Sequence, residues 1–250
     1  MKKLKTDKAG RFLSGLSCSL AAVVWNALYP TNGWQTLVIA IACAAMWFVP
    51  WDRWQGARLV ILLIGVGVSA GGSVDLMSAL FTDIPRWQWW LAWIILVFSL
   101  CYVGRGGILP AAVPVGLVSG ILLLLTCVAA LPQYDGVVEW GGGSFQRALS
   151  GVVALSACSL SAPESHGATR WGALVGIGVW CGSAFVPMLL WSDPALGSMT
   201  FPLVRSWQCI GVGSPDILLV AAITICALWQ CSLGLLSAAA YVYKLTSLQK

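Results

Sequence analysis

The chain has 250 residues, 59% of them hydrophobic and only 9% charged, with a net charge of +5 and 15 Trp. Soluble domains carry roughly a quarter charged residues, so 14 basic and 9 acidic side chains cannot solvate the surface of a globule of this size. Disorder needs low hydrophobicity and high charge and is excluded by the same figures; the composition that remains is that of an all-α polytopic membrane protein.

A bilayer core about 30 Å thick is crossed by roughly 20 apolar residues in a helix. Eight stretches approach that length, at residues 12–29, 34–49, 59–80, 87–103, 108–131, 148–162, 171–191 and 217–243. The second is short and the sixth is short and Ser-rich. The expected organisation is a basic cytoplasmic tail at 1–11, one transmembrane helical domain at 12–243 and a cytoplasmic tail at 244–250.

The first stretch follows a basic head but has no small-x-small cleavage site at the usual distance. It ends instead on Trp25 and Tyr29, which fit an interfacial anchor. Near its start, Ser14-Gly15-Leu16-Ser17-Cys18-Ser19 gathers small and hydroxyl residues. Such a run either packs closely against a neighbouring helix or unwinds to offer backbone groups to a solute. On the second reading Gly15 and Ser17 are solute-binding candidates.

Asp75 is the only acid embedded in a predicted span. It pairs with a cation or relays protons if it faces the bundle interior, but it stands near the end of its stretch and can also face the mouth of the bundle. After it, Trp87, Trp89, Trp90 and Trp93 fit an aromatic belt at a span boundary. The run from Gly104 to Gly107 fits a short helix–helix turn.

The sixth stretch is preceded by Gly141, Gly142 and Gly143 and carries Ser150, Gly151, Ser156, Ser159 and Ser161 before Pro163. It reads either as an interrupted helix, with Gly151 and Ser156 as binding candidates, or as a weak Ser-rich span. Stretches one and six are five apart, the spacing that paired broken helices have in inverted-repeat transporters. The pairs Gly67/Gly71, Gly116/Gly120, Gly172/Gly176 and Gly178/Gly182 have small-x-x-x-small spacing, which brings helices together.

Basic residues set the expected sidedness. With all eight stretches crossing and the N-terminus in the cytoplasm, eleven Lys and Arg fall inside and three, Arg86, Arg147 and Arg205, outside. This is the bias of positive-inside insertion. Both termini are therefore expected in the cytoplasm, and nucleic acid is not an expected partner.

Catalytic signals are weak. His166 is the sole histidine, and no nucleophile–base pair assembles around it. The nine cysteines include no C-x-x-C pair and no zinc spacing, so neither an enzyme nor a metal or cofactor is expected.

Several features in chain order resemble the spore-germination permeases, the membrane B subunits of endospore germinant receptors and relatives of amino acid/polyamine transporters. They are Gly33-Trp34, then Thr82-Asp83-Ile84-Pro85 ahead of a span ending Tyr102-Val103-Gly104-Arg105-Gly106, and finally Phe201-Pro202-Leu203-Val204-Arg205 followed by Pro215-Asp216. The resemblance implies a transporter-like bundle of inverted five-helix repeats, the second incomplete here because family members usually have ten spans. It also implies a small-solute pocket, an amino acid germinant, A- and C-type partner subunits and the inner spore membrane. A non-transporting membrane subunit or scaffold is the alternative.

Overall fold

A computed structural model describes residues 8–29, 31–51, 54–133, 144–162, 167–191, 202–209 and 215–247. Gly141–Gly143, His166 and Phe201 lie outside them. The elements are α1 (Lys8–Leu20), α2 (Val23–Leu28), α3 (Gly33–Met46), α4 (Gln55–Leu80), α5 (Arg86–Val103), α6 (Arg105–Ala130), a short 3-10 turn (Leu131–Gln133), α7 (Phe145–Ser159), α8 (Gly167–Leu190), α9 (Pro202–Cys209) and α10 (Pro215–Ser247). No strand occurs among the described residues, and the chain is an all-α membrane protein.

Five helical stretches are long and apolar enough to cross a membrane: Lys8–Leu28, Gly56–Leu80, Arg86–Val103, Gly167–Leu190 and Ile217–Tyr243. Gly33–Met46 and Pro114–Ala130 are shorter apolar helices, and α7 has only 15 residues. At 1.5 Å per residue α7 spans about 22 Å, less than a bilayer core. Five of the eight expected stretches thus meet this length and hydropathy among the described residues, and α6, at 26 residues, carries a shorter apolar run at Pro114–Ala130.

The first stretch is interrupted, but not at its Ser-rich run. Ser14 donates to the Arg11 carbonyl at 2.7 Å and Ser17 to the Leu13 carbonyl at 2.9 Å. The hydroxyls are thus satisfied one turn back, and the helix continues through them to Leu20. The interruption comes at Ala21–Ala22. There the backbone tightens to three-residue spacing, with Ala22 N–H donating to Ser19 O at 3.2 Å and Trp25 N–H to Ala22 O at 3.0 Å. The sixth stretch is a continuous helix from Phe145 to Ser159, and Ser159 and Ser161 also donate back, to Ser156 O and Ala157 O.

Adjacent stretches alternate in direction. Gln35, in the first turn of α3, donates to the carbonyl of Ser144, which caps α7. Arg170 at the start of α8 lies over Phe48, just past the end of α3. α10 runs antiparallel to α6, where Ile108 meets Trp229 and Ser119 meets Ala222, and to α4, where Arg58 lies over the Tyr241 ring. The starts of α1 and α8 and the end of α10 consequently share one end of the bundle.

α1 and α8 form the closest helix pair. A Cβ placed on Gly15 would strike the Thr169 carbonyl, and one on Gly172 the Phe12 carbonyl. A Cβ on Gly176 would come within 2.6 Å of Ser19 Cβ. Missing side chains here let two backbones touch, as small-x-x-x-small pairs do.

A candidate solute-binding cleft

At the end of the bundle where α4 finishes and α7 begins, a cleft of about 430 Å³ opens between α2, α4 and α7. Gly67, Gly71 and Asp75 are spaced by four on α4 and so share one face. A Cβ on Gly67 or Gly71 would meet nothing within 4 Å. These glycines were expected to bring helices together; instead their missing side chains help to make the opening. Gly72, one position round, does pack, against Val24 and Leu28.

The second wall is aromatic. Trp25 and Tyr29 both line the cleft, their ring centroids 5.6 Å apart at a 40° tilt. Their α2 is set by the break that precedes it. Trp180 of α8 donates its indole N–H to the Ala22 carbonyl at 3.3 Å, beside the bond that this carbonyl accepts from Trp25 N–H, and the Asn26 amide donates to the Trp180 carbonyl at 3.4 Å. The interruption in the first stretch is therefore sealed by protein, and its effect is to position α2 at the cleft.

The third wall is the first two turns of α7, which supply Arg147 and Ser150. Ser144 caps this helix by accepting from Arg147 N–H at 3.3 Å, and Ser150 donates to the Arg147 carbonyl at 2.9 Å. A helix N-terminus carries partial positive charge that adds to the Arg147 guanidinium. The α7 wall thus favours an anionic group, whereas Asp75 on α4 favours a cationic one.

Asp75 already has a partner, the guanidinium of Arg86 at the head of α5. The side chains are 39% and 61% exposed respectively. An ion pair this open to solvent contributes about 0–1 kcal/mol, so a competing ammonium group meets little resistance.

Of the five residues singled out from the sequence, Asp75 lines the cleft. Gly151 lies just beneath it, where a Cβ would come 3.0 Å from the Trp25 ring and would strike Ile39. Gly15 and Ser17 are buried in the packed interior of α1. Ser156 is also buried, its hydroxyl 3.2 Å from the Cys43 thiol. Trp25 and Tyr29 read from sequence as a membrane anchor, and Arg147 only as an outer charge. The spacing Gly67-Gly71-Asp75, small residues leading to an acid on one face, is the sequence signal that points to the site.

Behind Tyr29 lies a second void of about 10 Å³, bordered by Asn26, Thr31 and Ser183. The Asn26 amide oxygen is buried and has no hydrogen-bond partner among the described residues. That volume is about one probe sphere, enough for a single water molecule.

No protein-family model matches the chain, and no curated protein matches it.

Proposed function

We propose that this multi-pass membrane protein binds a small dipolar solute, such as an amino acid, in the cleft between α2, α4 and α7. The observation that carries this reading is the placement of Asp75 and Arg147 on different walls of one aromatic-sided opening. The ammonium of the solute is held at Asp75, its carboxylate at Arg147 and the start of α7, and its side chain against Trp25 and Tyr29. The resemblance to spore-germination permeases supports the same solute class and makes the role that of an amino acid germinant receptor or carrier. Neither mutual charge attraction nor the aromatic wall requires a cofactor.

The test is thermal stabilisation of the purified protein by a panel of amino acids, with ethylammonium and propionate as single-charge fragments. A ligand at 100 times its Kd stabilises the folded state by about 2.7 kcal/mol. At least one amino acid is expected to raise the melting temperature more than either fragment. Asp75→Asn should abolish the response to ethylammonium, and Arg147→Gln the response to propionate. A flat response to the whole panel would sink the reading.

A second reading, assembly with partner membrane proteins such as germinant-receptor A- and C-type subunits, draws support from α5. Its only buried residues are Trp93 and Val97, while Leu91, Ile95 and Phe98 are exposed. Co-purification of a partner in mild detergent, without any solute response, would favour it.

A further inference from the structure

The carboxylate on the cleft wall is also a tether for the most loosely packed long helix. Arg86, the first residue of α5, is ion-paired to Asp75 of α4. Along the rest of α5, Trp93 and Val97 are the buried side chains. Near its far end, the Cys101 thiol approaches the Ser232 carbonyl of α10 at 3.7 Å. Between α4 and α5, Phe81 and Trp89 pack with centroids 5.7 Å apart. The Asp75–Arg86 pair thus joins the first turn of α5 directly to the solute-facing stripe of α4.

One carboxylate cannot serve two cations at full strength. An ammonium group reaching Asp75 from the cleft competes with the guanidinium that reaches it from α5. We propose that Asp75–Arg86 is a latch, closed in the empty protein and opened when a cationic group of the solute takes Asp75. Opening removes the ionic tie between the first turn of α5 and α4 and leaves the helix held by the Phe81–Trp89 packing, Trp93, Val97 and its far end. A ligand shifts a conformational equilibrium only by its differential affinity for the two states. Here the difference lies in the ammonium–Asp75 contact, which is available only when Arg86 has left. Removing Arg86 therefore populates the open state without ligand and tightens apparent binding.

This inference rests on the cleft as the solute site, and the experiment separates the two. Hydrogen–deuterium exchange of residues 86–93 is followed in the full-length protein in lipid nanodiscs, with L-alanine, ethylammonium or propionate. L-Alanine and ethylammonium, but not propionate, are expected to speed exchange in the wild type. Arg86→Gln should exchange fast without any addition and bind L-alanine several-fold more tightly, with Arg86→Lys restoring the wild-type pattern. Asp75→Asn should exchange fast and respond to neither amine. The latch is overturned if both Arg86→Gln and Asp75→Asn exchange as slowly as the wild type, or if L-alanine binds Arg86→Gln no better. Loss of L-alanine binding in every variant, with fast exchange retained in Asp75→Asn and Arg86→Gln, would leave the tether standing and remove the cleft as its trigger.

Discussion

A methyl group on Gly172 would run into the Phe12 carbonyl, whereas on Gly71 it would meet nothing within 4 Å. The same residue type serves close approach of helices in one place and an opening in the other. Gly172→Ala is expected to destabilise by about 1–3 kcal/mol, the usual cost of overpacking, read as a lowered melting temperature. Gly71→Ala should leave the melting temperature nearly unchanged. Gly71→Leu should fill the cleft and abolish solute binding while the protein still inserts and folds. Equal thermal effects of alanine at the two sites would contradict the packing described. Sequence spacing registers both glycines alike, because small-x-x-x-small states which residues share a helix face and not what that face meets. Asp75 was legible as a candidate since an acid in an apolar run is costly; Arg147 was not, since its stretch gives no depth or direction.

At the scale of an element, the broken first stretch shows where local reasoning stops. Serines at 14, 17 and 19 mark a region of weak helix preference, yet Ser14 and Ser17 close their hydroxyls on the preceding turn. The break falls two residues after Ser19, at alanines whose own propensity favours helix. Tertiary contacts flank it: the Trp180 indole donates to Ala22 O at the break, and the Asn26 amide of α2 donates to the Trp180 carbonyl of α8. Trp180→Phe keeps most of the ring volume and removes the donor to Ala22 O. Interhelical hydrogen bonds in membranes average about 0.6 kcal/mol with a maximum near 1.7, so a loss within that range is expected. It should be accompanied by weaker solute binding, because α2 carries Trp25 and Tyr29. Calorimetry and the binding isotherm of the same variant check the two effects together.

Over the whole molecule, composition and span length define the fold class, and adjacent helical stretches alternate in direction. The starts of α1 and α8 and the end of α10 lie at the end away from the cleft, which on the positive-inside reading is the cytoplasmic one. Reporter fusions at residues 1 and 250 are expected to give cytoplasmic signals at both; opposite sides would refute this arrangement. Segment length was partly legible: stretches 34–49 and 148–162 read as short, and α3 and α7 have 14 and 15 residues. Where each begins is a matter of the capping at Asn32 and Ser144, which hydropathy does not register.

The pairing of α1 with α8 has a consequence for biogenesis. Ser19 bonds to a carbonyl 154 residues further along the chain. At translation speeds of about 5–20 residues per second, the small-residue face of α1 waits roughly 8–30 s in the bilayer before its proper neighbour is made. During that wait another nascent helix, or the membrane quality-control machinery, has access to a surface that the finished protein hides.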